Sequence, residues 1–152
     1  MGLDMFLTKE TYIGATFEFN EVKGTVDITV RGKQVPINLN RIVKITEDVG
    51  YWRKANQIHN WFVQNVQGGV DDCRQVYVPK AKLKELLNVC KEVLADHDKA
   101  PELLPTVEGC FFGDTSYDGY YYRDIENTIN IIEPLLKEVE DTACNVFYQS
   151  SW

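Results

Sequence analysis

Two adjacent cations, Arg53 and Lys54, stand in the stretch GYWRKANQIHNWF where apolar residues begin to recur at helical spacing. This spacing predicts a helix over 53–66 with both cations in its first turn. Unpaired backbone N–H groups and the positive end of the helix dipole lie there, so most helices prefer acidic residues at that position. The stretch therefore predicts an anion site. The alternative is that both cations pair with some of the chain's 23 acidic residues.

Aromatic and polar side chains accompany the cations. A phosphate site beside aromatic rings is what a nucleotide-derived ligand needs, because each base can stack on a ring face. Three consecutive tyrosines spread through about 200° of a helix, so at least one should be exposed. The predicted ligand-binding residues are Tyr51, Trp52, Arg53, Lys54, Asn56, His59, Tyr120 and Trp152. The alternative reading is structural: His59 bonds a neighbour, and the tyrosines lie at the edge of the core.

Asp71 and Asp72 follow a glycine pair, and paired acids can bind a divalent cation or divide acid and base roles, with His59, in a hydrolase. The same acids after Gly-Gly also suit a turn or a helix cap. The sequence contains no GxSxG, P-loop, GxGxxG or HExxH motif, and its two histidines exclude a multi-histidine metal site. We therefore predict no catalytic residue, metal or cofactor.

The elements that position these residues indicate an α+β domain over 1–152, in which an antiparallel sheet from N-terminal strands, with the C-terminal strand as a candidate member, is covered by three helices. Further helices are expected from Pro79 and from near Ser116 or Asp118. Residues 11–19 and NVFYQSSW suit strands, and MGLDMFL could form a short one. Residues 41–49 are ambiguous and favour a strand. A Gly32-Lys33 turn would make a hairpin whose expected pairs are Val30 with Val35, Ile28 with Ile37 and Val26 with Leu39.

Composition limits the function classes. The chain has 152 residues, 44% hydrophobic content and a net charge of −7, which argues against binding a nucleic-acid polymer. No stretch approaches the roughly 20 apolar residues of a membrane span, and the N-terminus resembles no secretory or myristoylation signal. We expect a cytoplasmic protein with no membrane partner.

Four strings carry a family resemblance: MGLDMFL, YWRKANQIHNWFVQNVQGGVDDC, ELLPTVEGCFFGDTSYD and FYQSSW. They resemble an uncharacterised set of small bacterial and bacteriophage-encoded proteins. The similarity runs through most of the chain and is least over about 20–40. The resemblance implies a phage accessory protein in a bacterial host cell, and it implies no reaction and no catalytic residues.

Small phage accessory proteins often bind host components or host signals, which is an analogy of lifestyle. The leading hypothesis is non-catalytic sequestration of a phosphorylated, base-containing molecule, such as a cyclic-nucleotide or ADP-ribose-type immune signal. The second is a protein-interaction module, in which exposed tyrosines and Trp152 anchor a host protein or a homo-oligomer. The hydrolase that uses Asp71, Asp72 and His59 ranks third.

Overall fold

The computed structural model describes residues 2–13, 27–37, 41–140 and 142–152. These residues contain six strands: β1 (Asp4–Tyr12), β2 (Thr29–Val30), β3 (Lys33–Gln34), β4 (Lys44–Arg53), β5 (Val76–Tyr77) and β6 (Cys144–Ser151). They also contain four α-helices: α1 (Asn56–Asn65), α2 (Lys80–Ala95), α3 (Ala100–Leu103) and α4 (Gly119–Glu140). A 3₁₀ turn over His97–Lys99 joins α2 to α3.

Four of the strands form one antiparallel sheet in the order β4-β1-β6-β5, so the N-terminal and C-terminal strands are neighbours. The predicted α+β class and the strand at the C-terminus are confirmed. On β1, Met5 and Leu7 face the core, whereas Phe6 between them faces outward. This alternation follows from the two-residue period of a strand. Beside Leu7, the β1–β4 register shifts by one residue of β4.

The helices cover the inner face of the sheet with the apolar stripes that the sequence predicts. Helices α1, α2 and α4 bury residues at helical spacing, and α4 packs along both α2 and β4. A single core cluster takes side chains from the sheet and the helices. The stripe residues with no measurable exposure are Ile58, Phe62, Leu83, Leu86, Cys90, Val93, Ile125, Ile132 and Val139.

The β2–β3 hairpin lies where the sequence predicts one, but the predicted turn is wrong by one residue. Val30 pairs with Lys33, so the turn residues are Arg31 and Gly32, both with positive φ. A turn with positive φ at both central residues matches the twist of a hairpin. The amide of Val35 donates to the carbonyl of Ile28 at 2.8 Å, which replaces the expected Val30–Val35 pair. Val26 and Leu39 lie outside the described residues, as do residues 14–19 of the predicted strand over 11–19.

The predicted start of α1 at residue 53 is also wrong. Arg53 is the last residue of β4, and the helix begins at Asn56 after Ala55 as its N-cap. Gly68 and Gly69 follow the helix with φ of +69° and +79°, as expected for glycines that end a helix. Within the ranges that the structure describes, no helix is both long and apolar enough to cross a membrane.

Candidate functional site

The chain bends at Lys54, between β4 and α1. Lys54 has a φ of +60°, a conformation that costs a residue with a Cβ atom some strain. Its amide donates to the carbonyl of Leu3 at 2.8 Å, and its carbonyl accepts from the amide of Asn56 at 3.0 Å. Gly113, with a φ of +97°, packs against this turn, since a Cβ atom there would lie 3.1 Å from the Lys54 carbonyl oxygen. The bend brings Arg53 and Lys54 beside the loop before α4.

Asn56 fastens that loop to the start of α1. Its Nδ2 donates to the carbonyls of Phe112 at 3.3 Å and Asp114 at 2.9 Å. Its Oδ1 accepts from the amide of Val107 at 3.0 Å. The side chain is buried and engaged in these three bonds. Asn56 therefore holds the loop before α4 in place and does not contact a ligand, as the sequence had predicted it would.

A cavity of about 390 Å³ opens between the β4–α1 turn, the loop before α4 and the first turns of α4. This volume lies in the range of small-molecule sites. Of the predicted ligand-binding residues, Arg53, Lys54 and Tyr120 line it. The remaining lining residues are Gln57, Gly113, Asp114, Ser116, Asp118, Tyr121 and Asp124.

The two cations of the cavity are not paired with its described acids. Among the described residues, neither Arg53 nor Lys54 forms an ion pair within 4.0 Å. Asp114 accepts from the amide of Ser116 at 2.9 Å and from its hydroxyl at 2.7 Å, and these bonds lower the pKa of Asp114. Asp118 caps α4 by accepting from the amides of Tyr120 and Tyr121. The cations thus face solvent in the cavity while two acids serve local turns.

Asp124 is the third acid of the cavity, and it is partly buried. Burial raises the pKa of its carboxyl to about 6, and the nearby charge of Asp118 acts in the same direction. Gln57 Nε2 reaches Asp124 Oδ2 at 3.5 Å and partly offsets this rise. A carboxyl that loses its proton only near pH 6 costs the folded state free energy at neutral pH.

Replacing Asp124 by Asn is expected to stabilise the protein at about pH 8 by about 1 kcal/mol and to change little at about pH 4. The native carboxyl holds its proton between about pH 4 and pH 6, where the unfolded chain releases it, so stability falls as pH rises through this window. Urea unfolding of both proteins at the two pH values measures the difference. The exposed Glu126, replaced by Gln on the same helix, should show no such difference, and equal stabilities of wild type and Asp124→Asn at about pH 8 would contradict the prediction.

Tyr120 supplies the aromatic surface of the cavity. It is 72% exposed, the exposed tyrosine that the run of three predicts. The Arg123 guanidinium lies 5.3 Å from the centroid of its ring and stacks on one face. Tyr121, by contrast, is buried and donates its hydroxyl to the carbonyl of Leu104 at 2.8 Å.

Trp52 and Tyr51 are not placed as ligand contacts. Trp52 is 2% exposed and donates its indole N–H to Thr128 Oγ1 at 2.9 Å, so the predicted stacking role is wrong. Tyr51 is exposed, but its ring lies 5.5 Å from Phe6 and its hydroxyl donates to Asp4 Oδ1 at 2.5 Å. It does not line the cavity. Strand alternation separates these neighbours to opposite faces of the sheet.

His59 lies in a buried hydrogen-bond network away from the cavity. It is 1% exposed, and its Nε2 lies 2.9 Å from Asp71 Oδ2 while its Nδ1 lies 2.7 Å from the Tyr148 hydroxyl. In the neutral imidazole, Nε2–H donates to the carboxylate and Nδ1 accepts from the phenol. Burial, with the negative charge of Asp71, raises the pKa of Tyr148 well above its ordinary value, which keeps the phenol a donor.

Trp152 joins the same hydrogen-bond network through Asp71. The indole N–H of Trp152 donates to Asp71 Oδ1 at 3.1 Å, and its ring meets Phe112 edge-on at 6.0 Å. The network therefore ties the loop after α1 to β6. Ser150 lies between Tyr148 and Trp152, and its buried Oγ forms no hydrogen bond with a described residue.

The predicted hydrolase set is only partly assembled. Asp71 does reach His59, but Asp72 points to Arg74, whose Nε lies 3.4 Å from Asp72 Oδ1. Both ring nitrogens of His59 are occupied by protein groups, which leaves neither for a substrate. Asp71 and His59 thus form a structural pair, as the alternative reading of His59 holds.

Sequence reasoning missed Gln57 and Asp124 as cavity residues. Asp124 follows Tyr120 by four residues on a predicted helix, a spacing that places both side chains on one face and could have been used. No comparable signal marks Gln57, because only the turn at Lys54 aims this residue at α4.

A second cavity, of about 350 Å³, lies between α2 and α4. Its walls combine Lys80 and Lys84 with Leu87 and Leu136, and the Lys80 ammonium already donates to the carbonyl of Val139. None of its described lining residues is aromatic. The first cavity is therefore the better candidate for a ligand with both a charged and an aromatic part.

Comparison with known proteins provides no information on the function of this site. No protein-family model, curated protein or solved structure matches this chain. The resemblance to small bacterial and bacteriophage-encoded proteins stays a prediction.

Proposed function

We propose that this protein binds a phosphorylated, base-containing small molecule in the cavity between the β4–α1 turn and α4, and holds it without turnover. The observation that carries this proposal is the meeting of Arg53, Lys54 and the exposed ring of Tyr120 in one cavity of about 390 Å³. The cations suit a phosphate, and the open face of Tyr120 suits a base. The setting in this proposal is the cytoplasm of a bacterial cell, where a bacteriophage accessory protein sequesters a signal.

The structure supports this function in a form that differs from the first expectation. Arg53 and Lys54 reach the cavity from the end of a strand and from a turn, while α1 begins next to them with no side-chain cap and no acid in its first turn. The positive end of α1 adds to the field of the two side chains. Tyr51, Trp52, Asn56, His59 and Trp152 do not line the cavity, whose wall includes Gln57 and, on α4, Asp124.

Removing either cation of the cavity is expected to weaken ligand binding by roughly 10- to 100-fold, the usual worth of a charge-assisted hydrogen bond. The test is a thermal-shift and calorimetric screen of wild type, Arg53→Met and Lys54→Met. The ligands are pyrophosphate, mononucleotides, cyclic di- and trinucleotides, NAD and ADP-ribose, each with and without Mg²⁺. A ligand at 100-fold excess over Kd stabilises the native state by about 2.7 kcal/mol, which moves the melt by several degrees.

Lys137→Met provides the matched control, because Lys137 is an exposed cation on α4 outside the cavity. It should bind like wild type. Recovery of unchanged ligand, measured by chromatography, is expected for sequestration, and a product peak would contradict it.

A panel with no shift would contradict the proposal and favour the second candidate, a protein-interaction surface. The observation that favours that candidate is the exposure of two large aromatic side chains, Trp152 at 52% and Phe111 at 56%.

A further inference from the structure

Asp124 is the least engaged acid of the cavity. Asp114 and Asp118 each commit Oδ1 to amides of their own turns. Among the described residues, Asp124 receives a single side-chain contact, from Gln57 Nε2 at 3.5 Å, which is at the outer limit of a hydrogen bond. A partly buried carboxylate with unused acceptor capacity suits a ligand that brings its own N–H donors.

The position of Asp124 relative to Tyr120 indicates what those donors belong to. The two residues are four positions apart on α4, so their side chains are neighbours on one face of the helix. Arg123 stacks on one face of the Tyr120 ring, which leaves the other face for a base. A base stacked there lies beside Asp124, whose side chain lines the same cavity as Arg53 and Lys54.

The common bases differ in what they offer a carboxylate. Guanine presents two adjacent donors, N1–H and the exocyclic amino group, which match the two carboxylate oxygens. Adenine places the acceptor N1 beside its amino group, so its edge would face the carboxylate with a lone pair. Hypoxanthine keeps N1–H and lacks the amino group. Because ionised carboxylates only accept hydrogen bonds, guanine fits best.

We infer that Asp124 reads the base edge of the ligand and that the cavity selects guanine nucleotides over adenine and hypoxanthine nucleotides. This inference rests on the proposed function, since it assigns the base half of the same cavity. It makes Asp124 a specificity residue and leaves the phosphate half to Arg53 and Lys54.

Isothermal titration of wild type with GMP, IMP and AMP tests the inference without any substitution. It is performed at about pH 8, where the Asp124 carboxyl is ionised. We expect GMP to bind roughly tenfold or more tightly than IMP or AMP, the usual gain from a bidentate contact to a base. Equal affinities for the three nucleotides would overturn the inference and leave the proposed function standing.

Asp124→Asn and inorganic pyrophosphate separate the two halves of the cavity. In this variant the preference for GMP over IMP should be lost while the affinity for pyrophosphate does not fall, because the cations are untouched. A variant that keeps the preference for GMP would overturn the assignment of Asp124. Wild type that binds neither pyrophosphate nor any of the three nucleotides would overturn both the inference and the proposed function.

Discussion

Replacing His59 by alanine is expected to lower the free energy of unfolding by about 3 to 4 kcal/mol. The substitution empties a buried position between Phe112, whose ring lies 5.2 Å away edge-on, and Tyr148. It also leaves the buried Tyr148 hydroxyl and the Asp71 carboxylate without their common partner. Equilibrium unfolding in urea measures the loss.

Two further variants identify the cause of that loss. His97→Ala removes the other histidine, which is exposed, and should cost less than about 1 kcal/mol. Tyr148→Phe removes only the hydroxyl and should cost about 1 to 2 kcal/mol, because it strands His59 Nδ1. In the double variant the two costs should not add, since both residues belong to one network. A His59→Ala protein as stable as wild type would show that the buried network contributes nothing.

Replacing Asn56 by aspartate is expected to cost about 3 kcal/mol of stability or more. The change turns the two N–H donors that face the carbonyls of Phe112 and Asp114 into acceptors, and it buries a charge with no opposite charge bonded to it. Because these bonds hold the loop that carries Gly113 and Ser116, the variant should also bind ligand more weakly. Urea unfolding and titration with pyrophosphate measure the two effects.

Asn65, near the other end of α1, provides the matched control. Its side chain donates to the carbonyl of Trp61 within the same helix at 2.9 Å and holds no distant segment. Asn65→Asp should cost less than about 1 kcal/mol and leave titration unchanged. If Asn56→Asp matched this small cost, the three bonds of Asn56 would not be what keeps the loop in place.

Repeating apolar patterns were sufficient to predict most helices and the C-terminal strand. The apolar stripes of α2 and α4 depend on residues three and four positions apart, and the alternation of β6 depends on residues two positions apart. Both patterns are therefore local features of the chain. Cations and an exposed tyrosine could also be recognised by residue type. Their meeting in one cavity could not be recognised, because Tyr120 lies 66 to 67 positions along the chain from Lys54 and Arg53.

The sequence by itself determined the α+β class, the periodic faces that form the core and the presence of a cation pair near the start of α1. The tertiary structure decided which residues meet. Trp52 is buried and Tyr51 exposed because the helices cover one face of the sheet. Arg53 lies at a strand end, not in a helix, because Lys54 adopts a positive φ held by contacts with Leu3 and Gly113. Such contacts join residues far apart in sequence, and no local pattern encodes them.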